Sequence, residues 1–289
     1  MTAGTRLRQS MLASAAGIAA RHPAQFQPAW RAQLVPALVT AGLLALFFYG
    51  LSVLGFSFAM IGKGGGQLMV ILAVMLPPDP QSWHQVVIYL GELAETLGMA
   101  FLGTLCAAVL AFPFGFLAAR NVVPGWLVHI LSRRFLDTIR GVDTLIWALI
   151  WINVVGLGPF AGVLAIICSD FGAFGKLFSE AIEATDRKSV EGVLSSGGSE
   201  IQAVRFGLLP QVLPVMLSQL LYFFESNTRS ATIIGIVGAG GIGLALSEAI
   251  RTLEWQQVSF IIVLLLITVS AIDYLSTKLR MAIIGPRPV

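Results

Sequence analysis

The 289-residue chain is 56% hydrophobic and only 11% charged, against about 25% charged in an ordinary soluble domain. A mean hydropathy of +0.84 points the same way, so the composition argues against a soluble globular protein and for a membrane protein. The formal net charge of +3 is small; where the basic residues sit matters more than their sum, because Lys and Arg near span ends set orientation.

A helix needs about 20 apolar residues to cross the hydrocarbon. Pro36–Ile61 is charge-free and long enough. It is too long, starts too late and lacks a following small-x-small site for a cleavable signal. The next apolar run, Gly66–Pro78, is too short to cross and reads as an amphipathic or interfacial helix outside the membrane. Thr96–Ala119 is a second charge-free run. In Thr144–Ser169 the stretch GLGP, Gly156–Pro159, reads as a turn. It predicts two spans there, near 140–156 and 158–179. Pro210–Ile236 and Trp255–Leu275 supply the fifth and sixth.

Basic residues cluster before the first span (Arg6, Arg8, Arg21, Arg31), after the second (Arg120, Arg133, Arg134, Arg140), after the fourth (Lys176, Arg187, Lys188, Arg205) and after the last (Lys278, Arg280, Arg287). The opposite side holds only Lys63 and Arg251. The positive-inside rule then places both termini in the cytoplasm, which six spans allow. The expected organisation is a cytoplasmic segment 1–35, a first transmembrane helix 36–61, a periplasmic segment 62–85, a core domain 86–280 with a long cytoplasmic loop 180–210, and a tail 281–289. Cys106 and Cys168 lie in apolar runs and read as small buried hydrophobes. His22, His84 and His129 are far apart and suggest no metal site.

Ile233–Leu246, IIGIVGAGGIGLAL, contains G-x-G-x-x-G at Gly238, Gly240 and Gly243. A dinucleotide loop needs a strand before it, a helix after it and an acid about 20 residues on at a strand end. Here the glycines fall between two membrane spans, and Glu254 sits in RTLEWQQ, which is no strand end. Gly238, Gly240, Gly241 and Gly243 are better read as a sharp turn on the periplasmic side, where small residues let helices approach.

Glu180–Pro214 is the most charged part of the chain. It reads as helix, break, helix. Ser189 is a candidate cap with Glu191 in the first turn, Gly197-Gly198 breaks the helix, and Ser199 with Gln202 forms a capping box. Pro210 and Pro214 open the next span. Two short capped helices suggest a docking surface where a plain connector would be shorter.

This loop resembles the EAA loop of ABC importer permeases: Glu191, Gly197 six residues later, and Leu209-Pro210 ending thirteen after that glycine. The family's Ala-Ala is Gly192-Val193 here, and its usual apolar residue ten after the glycine is Gly207. Val154–Ile166, Gly207–Pro214, Phe224–Gly243 and Asp273–Arg280, with Pro77–Asp79 and Ala118–Asn121, narrow the resemblance to the phosphonate import permeases. A departure is Val142-Asp143, where related chains often carry Ile-Pro.

The resemblance implies an all-α membrane protein with the type I, methionine-importer-like permease fold. It implies a second permease subunit (a copy or a similar chain), two cytosolic ATPase subunits that hold ATP and Mg, and a periplasmic substrate-binding protein. Around it is membrane lipid, and nucleic acid has no part. This chain itself has no G-x-x-x-x-G-K-[ST] motif and is expected to bind no cofactor and to be no enzyme. The loop around Glu191, Gly197, Leu209 and Pro210 would couple ATPase closure to alternating access. The implied cargo is a phosphonate, phosphite or hypophosphite.

Glu225 and Arg229 lie four apart in the fifth span and share a helix face. Charges at mid-span cost about 2.5–3.5 kcal/mol on insertion scales, so they usually face a partner or a watery path. Either the two pair and hold packing, or Arg229 helps an oxyanion cross while Glu225 orients it; Ser226, Asn227 and Ser230 offer neutral donors beside them. Two other classes stay open. One is a permease for another solute such as methionine, whose importers carry V-G-A-G-G-[IL]-G; the other is an intramembrane enzyme, for which Asp143 and Asp170 are the available acid pair.

Overall fold

A computed structural model describes residues 30–123 and 125–285, and over these the chain is helical throughout, with turns between the helices. The segments before Trp30 and after Gly285, with Arg6, Arg8, Arg21, His22 and Arg287, lie outside the described residues. The chain divides into two units, one running to Met69 and one from Val70.

In the first unit, α1 covers Trp30–Val53 and α2 begins at Phe58 and runs to Val74. The expected span Pro36–Ile61 is therefore cut short: the helix ends at Val53 and the chain turns at Gly55, whose φ is +64°. The helical part of Gly66–Pro78 is the second half of α2, which starts at Phe58. Leu38, Leu43, Leu46 and Phe48 on α1 are all exposed, and none of its apolar stretch is buried. A helix apolar on every side and exposed on every side is suited to lipid.

In the second unit, α3 covers Trp83–Ala118, α4 Trp126–Arg140, α5 Thr144–Val155 and α6 Pro159–Glu183. The short helix α7 covers Arg187–Ser195. A single turn, Glu200–Gln202, leads through a π-helical stretch, Ala203–Leu208, into α8, Leu209–Ile234. A second π-helical stretch, Gly235–Ala239, precedes α9, Gly241–Arg251, and α10 covers Trp255–Ile284. α3 and α6 pack along most of their lengths. Ala107, Ala108 and Ala111 meet Phe174, Phe178 and Ile182, and Val212 and Met216 of α8 close that layer. Small residues on one helix and aromatics on the next let the backbones come close.

Two predicted spans change shape. The second starts thirteen residues before Thr96, because Ser82 caps α3 by accepting from the Gln85 N–H at 3.2 Å. The expected span near 140–156 is the 12-residue α5, about 18 Å long at 1.5 Å per residue and too short to cross alone. α4 and α5 are bent by 81° at Gly141–Asp143. Asp143, the departure from the family pattern, starts α5: its carboxylate accepts from the Leu145 N–H at 2.8 Å. By length and composition the described helices supply five spans, or six if the bent pair crosses as one. The turn at Gly156–Pro159 falls where the sequence places it, with Pro159 opening α6.

Candidate functional site

The loop after α6 is held from beneath. Glu183, the last residue of α6, accepts from the Arg120 N–H and from Arg133 Nη2, both at 2.8 Å. Asn121 Nδ2 donates to the Ile182 carbonyl at 2.8 Å. The helix that follows starts earlier than expected: Asp186, not Ser189, caps α7, accepting from the Lys188 N–H at 3.0 Å. Asp fits because its short carboxylate reaches an orphan first-turn N–H and suits the positive helix end.

α7 ends in a Schellman motif. The Gly198 N–H donates to the Val193 carbonyl and the Gly197 N–H to the Leu194 carbonyl, both at 3.0 Å. That geometry needs a left-handed residue at the first position past the cap, and Gly197 has φ +86°. The capping box at Ser199 forms as read: Ser199 Oγ accepts from the Gln202 N–H, and Gln202 Oε1 accepts from the Ser199 N–H at 2.8 Å. Gln211 on α8 ties the two ends of the loop, donating to the Gly207 carbonyl at 2.6 Å and accepting from the Asp186 N–H at 3.3 Å. Gly207 also explains its departure from the family pattern. A Cβ there would come within 2.9 Å of Val190 Cα, so the glycine lets α7 lie against the π-helical stretch. Glu191 is exposed, Leu209 is half-buried, and Pro210 is exposed in the first turn of α8. Ile201 (81%) and Phe206 (62%) are bare apolar side chains beside α7. The result is an anchored, apolar-edged ridge beyond the end of α6.

The second cluster lies on α8. Arg229 Nη1 donates to Glu225 Oε1 at 3.2 Å, so the pair read from spacing is formed. A second cation joins it: Arg280 Nη2 of α10 lies 3.7 Å from Glu225 Oε2. The Glu225 side chain is 12% exposed and that of Arg229 is 51% exposed. Glu225 is thus a buried anchor between two guanidinium groups, and Arg229 is the exposed member. The Arg280 guanidinium also lies over the Tyr222 ring, 6.0 Å from its centroid. The helix of the last apolar run continues past Leu275: α10 runs to Ile284 and brings Arg280 to α8.

Ser230 is half-buried next to Arg229, but Asn227 does not join that face. Two residues on from Glu225 is about 200° around the helix, which turns Asn227 inward. Its Nδ2 donates to Thr104 Oγ1 of α3 at 2.7 Å and to Asp170 Oδ2 of α6. Asp170 and Asn227 are both buried, so three helices are clasped behind the charged face. Asp143 and Asp170, the pair an enzyme reading would need, are each engaged elsewhere, the first as a helix cap and the second in this clasp.

The glycine-rich stretch joins helix to helix. Gly238, Gly240 and Gly241 have φ of +115°, +84° and +65°. They turn the chain from α8 into α9, and α3 receives the new helix end. Glu95 Oε1 accepts from the Gly241 N–H at 2.8 Å, and Thr96 Oγ1 accepts from the Ile242 N–H at 2.9 Å. A carboxylate is well placed at a helix N-terminus. Gly243 is needed for space: a Cβ there would lie 2.0 Å from the Thr232 carbonyl oxygen. Among the described residues no strand precedes these glycines; the helix α8 does, so the requirement for a dinucleotide loop is unmet.

Arg280, Glu95, Thr96, Asp170 and Thr104 were not singled out from the sequence for these roles. An acid in the middle of the apolar run of α6 was the available signal for Asp170. For Glu95 and Arg280 the partners are 146 and 55 residues away, beyond any local pattern.

Residues 111–287 match the model of the family described as binding-protein-dependent transport system inner membrane component. HtxC of Stutzerimonas stutzeri, whose name assigns it provisionally to phosphite transport as a permease, is 36% identical over 98% of this chain and 95% of its own length. PtxC of the same organism, a phosphite transport system permease protein, is 34% identical over 87% of this chain and 90% of its own. An inward-facing structure of the MetNI methionine ABC transporter superposes with a TM-score of 0.61 over 70% of this chain and 99% of that one, at 20% identity. That last likeness carries the fold: the helix order is that of a type I importer permease. The chain belongs to the inner-membrane components of binding-protein-dependent transport systems, a multi-pass transport subunit and not an enzyme.

Proposed function

We propose that the chain is the permease of an ATP-driven importer for phosphite, hypophosphite or a phosphonate. The observation that carries the machine is the anchored ridge of α7, with Glu191 exposed and Gly197 at its left-handed end. A ridge of that kind suits docking by a cytosolic ATPase, which would hold ATP and Mg. The pathway would form against a second permease subunit, a copy or a similar chain, and a periplasmic binding protein would deliver the solute. Both termini would be cytoplasmic, as the basic residues favour, and the turn at Gly238–Gly243 would face the periplasm.

The cargo class rests on the two phosphite permeases, similar along nearly the whole chain. Methionine has only more distant support, from D-methionine transport permeases at 26% and 24% identity and from the shared fold at 20%. Arg229 is the residue proposed to meet the anion. It is exposed while its partner Glu225 is buried and held on its other side by Arg280. A guanidinium offers two parallel donors to an oxyanion, and Ser230 stands beside it. Asn227 would act behind this face by fixing the rotation of α8.

The test is uptake of labelled phosphite, methylphosphonate and methionine into proteoliposomes holding the complete importer with ATP inside. Phosphite or methylphosphonate should accumulate and methionine should not. Arg229→Lys keeps the charge and loses the fork, and should lower uptake about tenfold at unchanged membrane abundance. Normal uptake by that variant would assign Arg229 to packing; methionine uptake alone would overturn the cargo.

A further inference from the structure

The geometry points to a binding site for the headgroup of an anionic phospholipid at the start of α4, built from Arg120, His129 and Trp126. The inference does not rest on the proposed cargo and needs only that α4 lies at the membrane surface.

α3 ends at Ala118, and eight residues on the chain re-enters helix at Trp126. His129, buried at 5% exposure, fills the corner. Its Nδ1 lies 2.7 Å from the Ala118 carbonyl oxygen, which only accepts, so Nδ1 carries the proton. Nε2 is then an acceptor, and Arg120 Nε donates to it at 2.9 Å. One edge of the guanidinium is thereby fixed on a buried post. Its two terminal nitrogens have no hydrogen-bond or ion-pair partner among the described residues. They border an open pocket of about 240 Å³ lined by Arg120, Val123, Trp126, His129 and Ile130.

The surface next to this pocket is apolar. Trp126 is 73% exposed, and Leu127, Ile130 and Leu131 are exposed around the first two turns of α4. Arg134 follows with its side chain exposed, and Gly125 brings no side chain to cap the positive end of the helix. A fixed guanidinium above an apolar wall, with a Trp at the boundary, matches one phospholipid: phosphate at Arg120, acyl chain along the wall. Tryptophan is enriched at that depth, and basic pockets on the cytoplasmic side of membrane helices take anionic headgroups. An acidic protein or a free phosphate would satisfy Arg120 and leave Trp126, Leu127 and Leu131 in water.

The experiment is native mass spectrometry of the full-length chain in detergent, titrated with phosphatidylglycerol or with phosphatidylcholine of the same acyl chains. Phosphatidylglycerol should bind about five-fold more tightly. Arg120→Gln should reduce it to the phosphatidylcholine level, and Arg120→Lys should keep part of the preference. Equal binding of the two lipids by the unaltered chain, or a preference untouched by Arg120→Gln, would overturn the site. Trp126→Ala, at a bare position that folding does not need, carries the test if the arginine variants fail to fold. It should weaken both lipids, and undiminished binding would count against the wall. Inorganic phosphate should leave the lipid bound; its displacing phosphatidylglycerol would reassign the pocket to a free oxyanion and overturn the lipid reading.

Discussion

The chain breaks its helices at two glycine-rich places, and the two breaks obey different constraints. At Gly197-Gly198 the critical residue is exposed and nothing lies within 4 Å of where its Cβ would be. What holds it is torsion, a φ of +86° that closes the Schellman motif. At Gly235–Gly243 the helices are buried against each other and space decides, with a Gly243 Cβ falling 2.0 Å from a backbone oxygen. A surface break shapes a docking ridge and should be separable from folding. A buried break is part of the core and should not be. One residue type therefore serves two links of the chain, one functional and one structural.

The largest effect expected from this contrast is at Gly243. Gly243→Ala must push α8 and α9 apart and should cost about 1–3 kcal/mol or more, read as reduced membrane abundance and a lower melting temperature in detergent. An unchanged melting temperature would mean the two helices are free to separate. Gly197→Ala should cost about 1 kcal/mol through left-handed strain, confined to α7. Hydrogen exchange should rise there and nowhere in α8, while abundance stays normal. Loss of abundance equal to that of Gly243→Ala would erase the distinction. Asp186→Ala removes the cap of α7 and should speed exchange in that helix about five-fold, for a cap of about 1 kcal/mol; if Ser189 were the cap, Ser189→Ala would do so instead. The smallest effect has the opposite sign. Gly192 lies inside α7 with open space around it, so Gly192→Ala should stabilise that helix by about 0.5–1 kcal/mol and slow its exchange.

Features encoded by adjacent residues were legible in the sequence. The Gly156–Pro159 turn, the Ser199 capping box and the Glu225–Arg229 pair all depend on residues within four positions of each other. What was not legible depends on approach in space. Arg280 reaches Glu225 because α10 runs back along α8, and Glu95 caps α9 because α3 passes its end. The 81° bend between α4 and α5 was hidden because Gly141 and Asp143 mark a helix break but not the direction the next helix takes. The inward turn of Asn227 was available from helical periodicity alone, since a residue two on from Glu225 faces the other way. Gly207 looked like a weakness in the loop pattern and is a packing requirement against Val190.

The central claim is that the ridge ending at Gly197 transmits ATPase motion to the membrane helices. The most direct measurement is ATP-driven phosphite uptake by the complete importer in proteoliposomes, compared for the unaltered chain and Gly197→Asp, with the bound ATPase quantified in the same vesicles. The account predicts uptake for the first and its loss for the second while the permease stays folded in the membrane. Full uptake by Gly197→Asp at equal ATPase content would contradict it.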